Sequence, residues 1–164
     1  MNRDEHNRLF CDWVERYGGI LRKTARTFAP DWEQEDLHQE LLIAVWSALP
    51  AFRGEASGST FDYRVAHNYA LTWVRARRNR ARTLERFQLE RPVEARPVLP
   101  VDVRYDEIRK LPEVDRALVL LYLDEVSYRD MAKVMGISQS TIGVRINRVK
   151  KKLAEQFEEA GHGA

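Results

Sequence analysis

The most constraining feature of the chain is segment 127–152, SYRDMAKVMGISQSTIGVRINRVKKK, which predicts two helices joined by a tight turn. Ser127 and Ser138 favour the first position of a helix, because a serine hydroxyl can accept a hydrogen bond from an unpaired backbone amide. Gly136 stands between the helices, where the backbone can turn left-handed without a Cβ clash. The second helix has apolar residues at three- and four-residue steps and a polar outer face. This pattern predicts a helix-turn-helix, whose second helix enters the major groove of DNA.

The outer face of that second helix carries the candidate DNA contacts. The polar side chains that helical spacing turns outward are Gln139, Ser140, Arg145, Asn147 and Arg148. An ordinary helical hairpin with a solvated basic face is the alternative. The agreement of caps, glycine turn, apolar spacing and basic face favours the DNA-binding interpretation.

The whole chain has 164 residues, enough for one domain or two small ones. Cys11 is the single cysteine, so no disulfide can form within the chain, and a reducing cytoplasm is expected. The N-terminus is polar and no apolar run is long enough to span a membrane. The net charge is only +2, although 32% of the residues are charged. The charges are segregated along the chain, and local fields matter more to partners than the total.

An acidic helix is predicted from a cap at Asp31 to Leu49, just before Pro50. A first helix over residues 8–27, with a break or bend at its two adjacent glycines, precedes it. Leu37 belongs to the buried stripe of the acidic helix. The residues that share another face are Asp36, Gln39, Glu40 and Ile43. An acidic face with one exposed isoleucine predicts a docking surface, and a solvated helix without a partner is the alternative.

A third helix, from Phe61 to about residue 82, follows a polar loop over residues 52–60 and is predicted to be capped by Ser59. Its first half is aromatic and its second half carries an arginine run uninterrupted by acids: Arg75, Arg77, Arg78, Arg80 and Arg82. Aromatic rings that stack on unpaired bases, beside cations that hold phosphates, predict single-strand binding. Core packing is the alternative for individual aromatics, and for Phe61 and Trp73 it is the favoured interpretation.

The fold class predicted is all-α, with two small helical domains at residues 1–83 and 105–164 joined by a proline-rich linker at 84–104. A short helix at 105–111 and a longer one opened by Pro112 complete a four-helix C-terminal domain with the helix-turn-helix. No cofactor or metal site is predicted. His38 and Glu40 form an H-x-E fragment, but no paired cysteines follow it, so we do not predict an enzyme.

Three blocks of the chain, in this order, resemble the extracytoplasmic-function sigma factors of bacterial RNA polymerase: EDLHQELLIAVW, then LPAFRGEASGSTFDYRVAHNYAL with its arginine run, then LPEVDRALVLLYLDEVSYRDMAKVMGIS. The resemblance spans roughly residues 9–153 apart from the linker. It implies a non-catalytic subunit that binds core polymerase, recognises a promoter and helps to open it. An anti-sigma factor that holds the chain inactive is a further partner found in this family.

The resemblance also implies a role for each surface. The residues implied to bind core polymerase are Asp36, Leu37, Gln39, Glu40 and Ile43. Those implied to bind minus-ten DNA, including a flipped base, are Arg53, Ser57, Ser59, Phe61, Arg64, Asn68, Tyr69, Arg75, Arg77 and Arg78. Those implied to read the minus-thirty-five element are Gln139, Ser140, Thr141, Arg145, Asn147 and Arg148. The chain departs from the family at Gly143, where many relatives carry a lysine that could contact a phosphate or a base.

Two other classes of protein are compatible with the same residues. One is a dimeric transcriptional regulator that binds duplex DNA through the helix-turn-helix and senses a signal with its N-terminal half. That half shows neither an alternating βα pattern nor an acidic cluster at strand ends, which disfavours a sensor. The other is an RNA-binding adaptor that uses the arginine run. Binding to core polymerase distinguishes the sigma factor from both.

Overall fold

The computed structural model describes residues 2–86 and 100–161, which form helices and turns without a strand. The α-helices within these ranges are α1 (Arg3–Phe28), α2 (Gln34–Ala48), α3 (Gly58–Arg86), α4 (Pro100–Arg109), α5 (Glu113–Leu123), α6 (Tyr128–Met135) and α7 (Gln139–Gly161). The all-α prediction is therefore confirmed. None of the helices in these ranges has an apolar stretch that could cross a bilayer.

Helix α1 is continuous, so the predicted break or bend at Gly18 and Gly19 is not a break. The helix begins with a capping box, in which Asn2 Oδ1 accepts from the Glu5 amide at 2.9 Å and the Glu5 carboxylate accepts from the Asn2 amide at 2.9 Å. Buried side chains on both sides of the glycines, beginning with Trp13, hold α1 against the core. This packing outweighs the low helix propensity of the two glycines.

Two predicted caps are also corrected by the structure. Asp31 lies in a 3₁₀ turn, where its carboxylate accepts from the Gln34 side chain at 2.8 Å, so it does not cap α2. The side chain that caps α3 is Ser57, whose hydroxyl accepts from the Thr60 amide at 3.1 Å. Ser59 lies inside the first turn of α3, too late in the chain for a cap.

The predicted linker is helical at its ends. Helix α3 runs through residues 84–86 and α4 occupies residues 100–104. Residues 87–99 of the predicted linker lie outside the described residues.

The helix-turn-helix is confirmed in detail. Ser127 Oγ accepts from the Asp130 amide at 3.1 Å at the start of α6, and Ser138 Oγ accepts from the Thr141 amide at 3.2 Å at the start of α7. Gly136 ends α6 with a φ of +67°, a conformation that an L side chain rarely adopts. Helices α4–α7 provide the four C-terminal helices predicted, and their centre is apolar: Leu118, Leu121, Met131, Val134, Ile142 and Ile146.

The N-terminal helices α1–α3 pack directly on the C-terminal helices α4–α7. Tyr63 of α3 is buried among the apolar side chains of α5, α6 and α7, and its hydroxyl donates to the Asp124 carboxylate, which also binds the Lys23 ammonium. The Arg109 guanidinium of α4 reaches back to the Arg26 carbonyl oxygen at 2.8 Å. The contact between α1–α3 and α4–α7 thus combines apolar burial with ion pairs and hydrogen bonds.

Candidate protein and nucleic-acid interfaces

The exposed face of α2 is a candidate protein-docking surface. Asp36 and Gln39 are exposed, and Ile43 is 64% exposed although it is a large apolar side chain. Glu40 is half-buried because its carboxylate accepts a hydrogen bond from the Tyr69 hydroxyl of α3 at 2.8 Å. Leu37 is fully buried, which removes its side chain from the predicted contact surface and assigns it to the packing of α2.

Trp46 extends this face by one helical turn, although it is not among the docking residues predicted from the sequence. It follows Ile43 by three residues, so both side chains lie on the same side of α2. The exposed indole stacks on the His6 ring of α1, with 4.5 Å between ring centroids. The Trp46 carbonyl lies 2.8 Å from His6 Nε2. The three-residue step from Ile43 was the signal available in the sequence.

The loop between α2 and α3 borders an open cavity of about 380 Å³. Its lining combines apolar side chains such as Phe52 with the basic Arg53, Arg64 and, from the C-terminal half, Lys133, and with one acid, Glu55. Arg53 and Arg64 are exposed at its edge. A cavity of this size with cations at its rim has the chemistry to receive a planar ring attached to a phosphate.

Phe61 lines this cavity and is largely buried, as core packing predicts, so its ring is not free to stack on a base from its present position. Its ring contacts Trp13 and Phe52, with centroid distances of 5.7 Å and 4.9 Å. Edge and tilted contacts of this kind fix aromatic rings in a core. Phe61 therefore anchors the first turn of α3 beneath the loop.

A buried carboxyl lies next to this aromatic cluster. Asp62 is fully buried, and its Oδ1 accepts from the Trp13 indole at 2.9 Å while Oδ2 has no hydrogen-bond partner. Burial raises the pKa of Asp62 to about 6, against the lowering effect of the indole hydrogen bond. His67, one turn further along α3, is also buried, and burial lowers its pKa to about 4.

The outer side of α3 carries the remaining predicted minus-ten contacts. Asn68 and Arg75 are exposed, and Tyr69 is half-buried against Glu40. Two arginines of the run pair with acids of this chain. Arg77 Nε donates to Glu33 at 2.6 Å, and the Arg78 guanidinium donates to Glu113 at the start of α5. Any nucleic acid that binds these two arginines must compete with the internal carboxylates.

The outer face of α7 is exposed over most of the predicted contacts: Gln139, Ser140, Thr141, Asn147 and Arg148. Arg145 is different, because its guanidinium lies 3.4 Å from the carboxylate of Asp115, which is buried in α5. Arg148 lies 3.9 Å from the same carboxylate but is largely exposed. A Cβ atom added at Gly143 would lie 3.7 Å from Tyr128 Cε2, an ordinary van der Waals distance.

Two separate parts of the chain match known protein families. Residues 13–80, which contain most of α1, α2 and most of α3, match the family description Sigma-70 region 2. Residues 105–153, which contain the helix-turn-helix, match Sigma-70, region 4. The two matches lie on either side of the predicted linker.

Several curated proteins are similar over most of their length. The ECF RNA polymerase sigma factor SigW of Bacillus subtilis is 26% identical over 92% of this chain and 89% of its own. The ECF RNA polymerase sigma-E factor of Escherichia coli is 28% identical over 85% of this chain and 82% of its own. RNA polymerase sigma factor YlaC of Bacillus subtilis is 23% identical over 75% of this chain and 76% of its own.

Two solved structures share the fold. The sigma factor RpoE, in complex with the anti-sigma factor NepR from Bartonella quintana, superposes with a TM-score of 0.73 at 20% identity, over 91% of this chain and 96% of its own. CnrH, in complex with the cytosolic domain of CnrY, superposes with a TM-score of 0.64 at 24% identity, over 93% of this chain and 90% of its own.

Proposed function

The chain belongs to the sigma-70 family of RNA polymerase sigma factors, within the extracytoplasmic-function group, and on this premise we propose how its surfaces divide the work of transcription initiation. As a sigma factor it directs core polymerase to specific promoters and helps to open them. It is an initiation factor, and we propose that it carries no catalytic centre of its own and acts in the cytoplasm, where core polymerase transcribes the chromosome.

We propose that α2 is the helix that binds core polymerase. The observation that carries this proposal is the exposed acidic face around Asp36 and Gln39, which ends in the exposed Ile43 and lies within the region 2 match. A carboxylate-rich face complements a basic partner surface, and a protruding apolar side chain supplies an anchor. Trp46 lengthens the anchor by one turn.

For the minus-ten element, we propose that the cavity beside the loop receives an unpaired base. The rim arginines Arg53 and Arg64 would hold its phosphates, and Asn68 and Arg75 on the exposed side of α3 would guide the strand. Arg77 and Arg78 would contribute through the guanidinium donors that their internal acids leave free, or after leaving those acids. For the minus-thirty-five element, α7 would lie in the major groove with its exposed face towards the bases.

Regulation by an anti-sigma factor is part of the proposal. The two solved relatives are both complexes, one with the anti-sigma factor NepR and the other with the cytosolic domain of CnrY. We propose that a protein of this class binds the present chain and competes with core polymerase.

A double charge reversal tests the docking proposal. Asp36→Lys with Glu40→Lys should weaken assembly with core polymerase, measured by native gel shift, because like charges then face a basic partner. The matched control is Asp12→Lys with Glu15→Lys, which changes the same charge on exposed positions of α1. Tyr69→Phe separates the charge effect from the lost hydrogen bond to Glu40.

Thermal unfolding followed by circular dichroism must show that all these variants remain folded. Weaker assembly of the α2 variant alone supports the proposal. Equal assembly of wild type, α2 variant and α1 control would refute it.

A further inference from the structure

Val144 occupies the middle of the DNA-facing surface of α7, although it is apolar. At 71% it is the most exposed large apolar side chain in the described part of the chain. Its neighbours three and four positions away are Ser140, Thr141, Asn147 and Arg148, all polar and exposed. Since residues at these steps share a helix face, Val144 lies at the centre of the surface that the helix presents outward.

The packing of the fold does not account for a valine at this position. The apolar residues that hold α7 in place, Ile142, Ile146 and Val149, are buried on the opposite side. A β-branched residue on an exposed helix face has a lower helix propensity than alanine and exposes more apolar surface to water. The valine is thus unfavourable in the free protein, and contact with a partner can offset that cost.

The positive charge next to Val144 is also partly neutralised. The guanidinium of Arg145, the residue after Val144, turns aside to the buried Asp115 carboxylate at 3.4 Å. The basic side chains further along α7, from Arg148 to Lys152, are exposed and can reach phosphates on either side of a groove. The result is an apolar spot surrounded by hydrogen-bonding and basic side chains.

The apolar group that duplex DNA offers in its major groove is the C5-methyl group of thymine. We propose that Val144 is a specificity-determining residue that contacts one thymine methyl in the minus-thirty-five element, so that the element contains a thymine opposite the centre of α7. This inference rests on the proposed function, because it requires α7 to lie in the major groove. It adds a base preference that none of the polar side chains of α7 predicts.

Replacing thymine by deoxyuridine tests the contact, because it removes the methyl group and leaves base pairing intact. Duplexes that bind tightly would first be selected from a randomised library with holoenzyme reconstituted from the full chain and core polymerase. Each thymine of the selected minus-thirty-five element would then be replaced singly. At one position we expect a loss of about fourfold in affinity, which corresponds to the burial of one methyl-sized apolar group.

Two variants assign that loss to a side chain. In Val144→Ser the deoxyuridine effect at that position should disappear, because no apolar partner remains for the methyl group. Leu123→Ser is the matched control, since Leu123 is 63% exposed but lies at the end of α5, outside α7. The control should keep the full fourfold effect. Circular dichroism verifies that both variants are folded.

The outcomes separate this inference from the proposed function. A methyl effect in wild type that is absent only from Val144→Ser supports the contact. Selection of a specific duplex without sensitivity to any single methyl group, or a sensitivity that persists in Val144→Ser, overturns the contact and leaves minus-thirty-five recognition intact. Failure of the holoenzyme to select any duplex would overturn both.

Discussion

Asp62→Asn should change how the stability of the protein responds to pH. Asp62 joins α3 to α1 through the Trp13 indole, and it follows Phe61, which lines the cavity that we assign to minus-ten capture. Asparagine keeps an acceptor oxygen for the indole at nearly the same volume, but it cannot ionise. The substitution therefore isolates the titration of one buried carboxyl.

The size and sign of the effect follow from the pKa of Asp62, which burial raises from 3.8 to about 6. The folded protein then binds this proton more tightly than the unfolded chain, by about 3 kcal/mol in total. The group contributes its full stability below pH 3.8, and the contribution is lost as the pH rises through about 6. On acidification from about pH 7 to about pH 4, the wild type should gain about 2 kcal/mol relative to Asp62→Asn.

The effect of Asp62 must be measured as the difference between wild type and Asp62→Asn, because the titration of His67 changes the stability in the opposite direction. Burial lowers its pKa from 6.5 to about 4, so the stability it contributes is present above pH 6.5 and is lost as the pH falls through about 4. In the wild type the two buried groups offset one another over this range. In Asp62→Asn the loss from His67 is no longer offset, and acidification should destabilise the variant more steeply.

Urea unfolding at a series of pH values, followed by far-UV circular dichroism, measures both free energies. Asp12→Asn is the control, since Asp12 is exposed on α1 and its curve should run parallel to that of the wild type. A constant offset between Asp62→Asn and wild type from about pH 7 to about pH 4 would contradict the reasoning. Asp62 would then keep an ordinary pKa in the folded protein.

Three further predictions test other contacts. Asp124→Ala should lower the free energy of unfolding by about 1–3 kcal/mol, because the buried Tyr63 hydroxyl loses its acceptor. The effects of Asp124→Ala and Tyr63→Phe on this free energy should be non-additive in a double-mutant cycle, and additive effects would refute the pairing. Gly143→Ala should raise the midpoint of urea unfolding by the equivalent of about 1 kcal/mol, because alanine favours a helix more than glycine does. The affinity for minus-thirty-five DNA should not change, since the new Cβ meets only Tyr128. Lower affinity in a folded variant would contradict this prediction. Arg145→Ala should lower the melting temperature, because the buried Asp115 loses its nearer cation. Arg148→Ala should leave the melting temperature unchanged and reduce the salt dependence of DNA binding. Equal melting temperatures would refute the distinction.

The features that could be predicted from the sequence are those determined by neighbouring residues. The caps at Ser127 and Ser138 and the left-handed Gly136 act within one helical turn, so the helix-turn-helix was predictable in detail. The exposed face of α2 followed in the same way from the spacing of apolar residues along a single helix. Local rules failed at Gly18 and Gly19, where contacts with other helices maintain α1 across two poor helix formers.

Pairings between residues far apart in the chain could not be predicted. Arg145 has the spacing of an outward-facing DNA contact, but its orientation depends on Asp115, which lies 30 residues earlier on another helix. Family resemblance suggests a binding role for Leu37 and Phe61, but both side chains are buried, as the helical spacing of Leu37 and the core-packing interpretation of Phe61 predict. Val144 is not among the predicted contacts for the converse reason, since an apolar residue between polar ones does not have the chemistry by which DNA contacts are recognised in a sequence.

The proposed polymerase and minus-ten surfaces are physically connected, which affects how any substitution in them must be interpreted. Glu40 of α2 accepts the Tyr69 hydroxyl of α3 at 2.8 Å, and this hydrogen bond is the main cause of the raised pKa of Tyr69. Glu33, just before α2, holds Arg77 at 2.6 Å. A basic partner that binds Glu40 competes with Tyr69 for the same oxygens, and a phosphate that binds Arg77 competes with Glu33. On the proposed assignments, docking on either surface would weaken a side-chain contact of the other, and promoter opening would then respond to polymerase binding through contacts that α2 and the turn before it make with α3.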